Sequence, residues 1–465
     1  MLRASEVCER AGFPTSSLVC EGFLGQAAAT AVGLGMPNLP VATIVGHPGA
    51  QSEDEIARFA AEVTAAQVVE NLTRQPDVIE LGDEPGSRDI VFSGSFEEVN
   101  EHFAAQEWSD GLPIVPPTLE KIAEFLAFTD RDPNESLGIV LPASRAVTIW
   151  SIAVNGVMAG CRPEYMPILV ALGEAMADPF YGVEHSGNTP GAETLIVLNG
   201  PIIKELKFNF EQGVLRDGFR PNTSVGRFWR LALRNIAGFL PHKTDKGTFG
   251  NTFRVVLAEN EDSLAKIGWP PNSADMGFAA GDNTVTITRL TGGGVFPSVT
   301  GSRPEQMMPY IADAVAAQTG WEIVFTVGGL TYGTLRPLLI LTPILAETIA
   351  KAGWSKGDVK RYLFDHARMA AWRVEKFTEE WADFPIGSLK HQVNIGKLPP
   401  VFAESDDPNR MVPIVMEPDD FMVLISGDPL RTNAYTFTQN GYLGFPTAKK
   451  IELPKNWAKR VKAAG

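Results

Sequence analysis

A chain of 465 residues with 44% hydrophobic and 20% charged side chains reads as two or three globular domains, and its net charge of −15 without a dense basic run excludes nucleic acid as a partner. Three cysteines, Cys8, Cys20 and Cys161, argue against a disulfide framework, and six scattered histidines add no closed zinc site to them. The opening residues lack the layout of a secretory signal and no uncharged apolar run reaches bilayer length, so a cytoplasmic protein away from membranes is expected.

Taken in order, residues 1 to 14 read as the tail of a helix stopped by Gly12 and Pro14, one that is expected to start before the chain does. Ser17 to Cys20 is a short apolar strand ending in the elbow Cys20-Glu21-Gly22. An Ala- and Gly-rich helix follows to Gly35, and a second apolar strand runs from Val41 to Val45 and ends at His47. Strands joined through a helix run parallel, and ligands gather outside their carboxyl ends, so Cys20, Glu21 and His47 are expected on one edge. Ser52 and Glu55 open an amphipathic helix to about Leu72. The segment 76 to 107 turns to Pro, Gly and acidic residues and reads as a linker with one helix near Phe96 to Phe103.

From Trp108 onward the pattern is α/β throughout, taken here as one lobe over 108 to 290 and a second over 291 to 465. The apolar run Thr148 to Met158 breaks at Gly160-Cys161-Arg162-Pro163 before a helix from Ile168, and the strand Thr194 to Leu198 closes on Asn199-Gly200-Pro201. Arg227, Arg230 and Arg234 recur at helical spacing ahead of Asn235. Gly160-Cys161-Arg162-Pro163-Glu164, with its helix and strand, is echoed by Gly301-Ser302-Arg303-Pro304-Glu305 and the run Ile323 to Gly329. Two explanations stand: Arg-Pro-Glu merely opens two helices, or an α/β unit is duplicated about a pseudo-twofold cleft. Gly292-Gly293-Gly294 lacks the lysine of a nucleotide loop and reads as a flexible turn. Residues 336 to 384 read as helical.

The residue types at these elbows suggest chemistry. Cys20 suits a thiolate nucleophile with His47 as base and Glu21 as proton acceptor or substrate contact. Cys161, at a glycine elbow before a helix start, is a second candidate thiol. Arg162, Arg227, Arg230, Asn199 and Asn235 are candidate substrate contacts, the arginines by bidentate recognition of an acid group. His242, Asp245 and Glu259 are loose metal candidates, since no cofactor is demanded by the sequence but a divalent metal is compatible with it.

The run Ala11-Gly12-Phe13-Pro14, Cys20-Glu21-Gly22-Phe23, Leu34-Gly35-Met36-Pro37-Asn38-Leu39-Pro40 and Gly46-His47-Pro48 resembles the UGSC family of seleno- and thiol-proteins. It is more distantly similar to the closing segment of the thiol/selenol subunit of glycine- and betaine-type reductases. In that family a strand and a loop bearing the redox-active selenocysteine or cysteine precede the helix that ends at Ala-Gly-x-Pro. The resemblance therefore implies a module lacking its nucleophile-bearing half, completed by a small companion subunit in a hetero-oligomer. The expected function is that of the large subunit of a thiol-dependent enzyme, an oxidoreductase or a transferase or lyase, acting on a small polar substrate. A metal-assisted hydrolase, hydratase or lyase, and a non-catalytic scaffold subunit, are the competing expectations.

Overall fold

In the computed structural model, which describes residues 2–74, 85–327, 335–382, 388–439 and 444–464, the opening module takes the form its periodicity requires. Helix α1 (Leu2–Arg10) leads into strand β1 (Ser17–Cys20), helix α2 (Leu24–Gly33) and strand β2 (Val41–Ile44). β1 and β2 run parallel, Ser17 opposite Val41 and Cys20 opposite Ile44. Ser52 and Glu55 form a reciprocal capping box at the start of α3 (Glu53–Phe59), which continues through a π-helical turn into α4 (Ala65–Thr73) against β2. The module is docked closely on the rest of the chain. A Cβ on Gly33 would lie 2.0 Å from the carbonyl oxygen of Pro142, so this helix position admits only glycine.

The main body begins with α5 (Phe96–Ala105), α6 (Leu119–Leu126) and the antiparallel hairpin β3 (Ser136–Val140) and β4 (Arg145–Thr148). Thr148 caps α7 (Ile149–Met158), which packs with α6 and with α8 (Met166–Ala177). Strand β5 (Glu193–Asn199) is followed by α9 (Ile202–Glu205), α10 (Arg220–Ala232), β6 (Val256–Ala258), α11 (Glu261–Ile267), α12 (Asn272–Asp275) and β7 (Thr284–Leu290). Next come β8 (Gly292–Phe296), α13 (Pro304–Thr319), α14 (Ile323–Val327), β9 (Leu338–Leu341), α15 (Pro343–Lys351) and α16 (Lys356–His366). A small pair, β10 (Arg368–Ala370) and β11 (Met411–Pro413), precedes β12 (Met422–Ile425), β13 (Ala434–Thr438) and β14 (Thr447–Lys450).

Two four-stranded sheets carry the core, ordered β6-β5-β7-β14 and β12-β9-β13-β8. Their pairings match step for step: the first neighbours are parallel, the next two antiparallel. α8 packs on β7 and β14, and α13 packs in the same way on β13 and β8. This is the duplicated unit, and it has exchanged its edges. β8 follows β7 in the chain but pairs in the second sheet, while β14 follows β13 and pairs in the first.

Alternation along each strand sends side chains to both faces. Leu195, Val197 and Leu257 meet Leu338, Ile340 and Leu424 between the sheets. Ile196, Leu198 and Ile287 face α7, α8 and α10, whereas Leu339, Val423 and Ile425 face α13, α15 and α16. The body is a helix, sheet, sheet, helix sandwich, α/β in class as expected. Strands covered on both faces read as continuous apolar runs.

Three expectations change. Gly292 to Gly294 is strand, not flexible turn, because β13 approaches it closely: a Cβ on Gly293 would lie 2.5 Å from the Thr436 carbonyl oxygen. The run from Ile323 is helix α14, packed against Met369, Val374 and Leu389, and the strand that completes the second unit is β9, inside the stretch read as helical. Val327 is the last described residue of that helix, and the glycines after it lie outside the described residues. The carboxyl ends of β6, β9 and β12 are joined by bonds from Asn260 N to Ile425 O (2.7 Å), Ser426 N to Leu341 O (3.1 Å) and Ser426 Oγ to Ala258 O (2.8 Å). Among the described residues no helix is long and apolar enough to cross a membrane.

Candidate functional site

The edge at the carboxyl ends of β1 and β2 gathers three of the expected residues. Cys20 ends β1 in extended conformation and is half-buried; Glu21 starts a 3-10 turn that runs into α2. The Glu21 carboxylate accepts the backbone N–H of Gly46 at 3.2 Å, which ties the first strand end to the loop after the second. Gly46 is left-handed (φ 71°) and turns the chain so that His47 follows at once. The His47 ring lies over Gly49, with Cε1 3.2 Å from where a Cβ there would stand, and Gln51 Nε2 closes the loop on Val45 O. Glu21 and His47 are exposed, and among the described residues no hydrogen bond joins Cys20 to His47. The geometry is that of an open edge holding a thiol and a carboxylate at consecutive positions after β1 and an imidazole on the tied loop after β2.

The main body reaches this edge from one side. Gly25, in the first turn of α2, packs on the carbonyls of His242 and Lys243, whose loop holds His242 at φ 65°. Asp245, further along that loop, is engaged inward. Arg230 pairs with the fully buried Glu193 at 3.1 Å and with Asp245 at 3.4 Å. Burial raises the pKa of Glu193 while Arg230 opposes the rise, and Glu193 in turn holds the Arg230 guanidinium more firmly protonated than usual. Arg230 already answers two carboxylates of this chain.

Its neighbours are likewise occupied. Arg227 forks onto Asp110 at 2.8 and 3.0 Å, and Arg254 stands 3.5 Å from the same carboxylate. Burial works against ionisation of Asp110, but the bonds and charge of Arg227 outweigh it and hold the carboxyl below its ordinary range. Arg234 donates to Glu107 O. The helical spacing located a real face, and its acidic partners come from β5 (Glu193) and from the loops of Asp110 and Asp245, which the spacing does not show.

The second candidate thiol is elsewhere and closed. Cys161 is buried, and that burial pushes its thiol up to about 12, with the Ser224 hydroxyl only partly opposing. At neutral pH it keeps its proton and so lacks the thiolate that nucleophilic attack needs. Arg162 beside it is half-exposed and pairs with Glu164 at 3.5 Å.

Asn199 and Glu259 meet in the interior. Glu259 accepts from Asn199 Nδ2 (2.7 Å), Asn272 N (2.7 Å) and Ile425 N (3.3 Å), clamping β5, α12 and β12 together. Burial raises the pKa of Glu259, with Lys356 opposing. Asn199 and Glu193 sit at opposite ends of β5, about 20 Å apart at the rise of a strand, so Glu259 is far from the Asp245 loop. The three weak metal candidates do not assemble, and among the described residues no group of three or more His, Cys, Asp or Glu is placed to hold an ion.

Asn235 lies at the floor of a large groove. Its amide donates to Trp108 O (3.1 Å) and to Asn155 Oδ1 (2.8 Å), and Arg145 donates to the Asn235 carbonyl at 3.2 Å. Asn155, buried in the middle of α7, escaped the sequence reading. A carboxamide inside the apolar run Ile149 to Met158 is the signal that marks it.

Searches of curated proteins and of solved structures return no match. The family model described as the UGSC family matches residues 2–74, the span from α1 through α4, so the likeness to that family is confined to the opening module.

Proposed function

We propose that this chain is the large subunit of a thiol-dependent enzyme, with Cys20, Glu21 and His47 at the working edge and a small companion chain beside β1. The bond from Gly46 N to Glu21, which ties the two strand ends into one edge, carries the reading. Cys20 Sγ attacks an activated carbon or sulfur centre of a small polar substrate and its proton passes to His47. The leaving group departs with the electron pair of the broken bond and collects that proton; for an acyl or sulfur adduct, a thiol of the companion then attacks the bound group, which passes to the companion sulfur as Cys20 leaves as thiolate. Glu21 keeps the loop of His47 in place.

The edges of the small sheet support a companion on one side only. Ser17 N bonds to Pro40 O, so the groups of Leu18 point away from β2, where they meet no backbone partner among the described residues, and the Leu18 side chain is 39% exposed. The opposite edge is already closed. Thr43 N donates to Gln67 Oε1 and Thr43 O accepts from Thr64 Oγ1, both at 2.7 Å. A strand added against β1 would satisfy the open edge.

The test is the rate of iodoacetamide modification of each cysteine, followed by mass spectrometry from pH 6 to 9. Cys20 is expected to react faster than the exposed Cys8, and His47→Ala to slow Cys20 alone. Cys20 reacting no faster than Cys8, with no response to His47→Ala, would remove the thiol reading. A stable, fully active monomer purified without any companion would remove the partner.

A further inference from the structure

The two sheets of the main body end differently at equivalent edges. β14 occupies in the first sheet the place that β8 holds in the second. β14 is guarded as open edges usually are, by Lys449 and Lys450, which pair with Asp178 and Asp282 at 2.7 Å each. β8 has no such guard: Gly292-Gly293-Gly294-Val295-Phe296 carries no charge, and neither do Thr291 and Pro297 beside it. It pairs with β13 alone, and among the described residues no other backbone bond reaches it. Val295 lies opposite Tyr435, on the face turned toward the first sheet, and is still 55% exposed, so β8 projects past that sheet.

The composition of this edge suits pairing with itself. In an antiparallel pair about a twofold axis at Gly294, Val295 stands opposite Gly293 of the second copy and Phe296 opposite Gly292, so each bulky residue faces a position without a side chain. A charge beside such an axis would lie close to its own image, and this strand has none.

Strand pairing alone covers less than the about 1,200–2,000 Å² that a stable interface buries. The neighbouring helix supplies more. α13 packs over β13 and β8, with the Tyr310 ring 6.4 Å from that of Phe296 and Gln318 against Gly294. Strands stand about 4.8 Å apart, so α13 and its image over the joined sheet would lie about 10 Å apart, the spacing of packed helices. Tyr310, Ala314 and Ala317 fall on one face of α13, and none of them is buried.

We propose that this chain forms a twofold dimer in which β8 pairs antiparallel with β8 of a second copy, joining the two β12-β9-β13-β8 sheets into one. The contact is separate from the β1 edge, so a companion there and a second copy here are compatible.

Sedimentation velocity of the full-length chain at micromolar concentration is expected to give a dimer, and hydrogen exchange over Gly292 to Phe296 is expected to slow as concentration rises. Val295→Lys, at an exposed position outside the core, is expected to weaken the dimer at least tenfold. Circular dichroism checks that this variant is folded; should it not be, the concentration dependence of exchange in the parent decides alone. A monomer throughout, exchange at β8 that ignores concentration, or a dimer that Val295→Lys leaves within twofold of the parent overturns the proposal.

Discussion

Asp110→Ala tests whether the arginine face of α10 is a strut or a substrate clamp. The Asp110 side chain is 6% exposed and receives two bonds from Arg227, itself 15% exposed, with Arg254 3.5 Å away. Removing one partner of a buried pair typically costs about 3–5 kcal/mol, since the surviving charge is stranded. Arg227 keeps its bonds to Leu112 O and Pro113 O, so the low end, about 3 kcal/mol or a hundredfold and more in the local folding equilibrium, is expected. Hydrogen exchange of the 108–113 segment reads this opening directly, and urea unfolding followed by tryptophan fluorescence reads its global part. The pH dependence has a definite sign. The folded carboxyl lies below its unfolded value of about 3.9, so its contribution is complete above that pH and is lost as pH falls through the lower folded value. The gap between Asp110→Ala and the parent should hold from pH 7 to about 4 and narrow only below. A gap under about 1 kcal/mol at pH 7, or one that narrows by pH 6, would refute the strut and return Arg227 to the list of substrate contacts.

Three further outcomes follow from local geometry. Gly33→Ala drives a methyl to 2.0 Å from Pro142 O and is expected to loosen the docked module by about 1–3 kcal/mol, seen as faster proteolysis between α4 and α5; unchanged cleavage would refute the close docking. In a thiol assay with 5,5′-dithiobis(2-nitrobenzoic acid), Cys8 and Cys20 should react in the native protein and Cys161 only after unfolding; rapid reaction of all three would contradict its burial. Burial raises the Glu322 carboxyl to about 7, so its favourable contribution is complete below the unfolded pKa and is lost as pH rises through about 7. Glu322→Gln should leave unfolding unchanged at pH 4 and stabilise by up to about 3 kcal/mol at pH 8, and no gain at pH 8 would count against the buried acid.

Much of the fold was legible because it is written locally. The Ser52 box, the proline-opened helices at Pro163 and Pro304 and the two short strands of the module each follow from a few neighbouring residues. The sharing of one edge by Cys20, Glu21 and His47 was legible too, because parallel strands fix which ends coincide. What depends on distant segments was not. β8 has three glycines in place of an alternating pattern, and only the approach of β13 makes it a strand. The short β-branched run at Ile323 carries no period that separates strand from buried helix, and packing against Met369 and Leu389 decides it. The amide pair Asn155 and Asn235 joins two helical segments that nothing in their spacing connects.

The exchange of β8 and β14 bears on how this protein comes to exist. While the chain is being synthesised, the first half emerges with β5, β6 and β7 complete, yet the free side of β7 must wait for β14, and β9 through β13 are translated in between. During that interval a nascent edge is open to self-association or to chaperones, and neither half can be excised as an independently folding fragment without leaving such an edge behind.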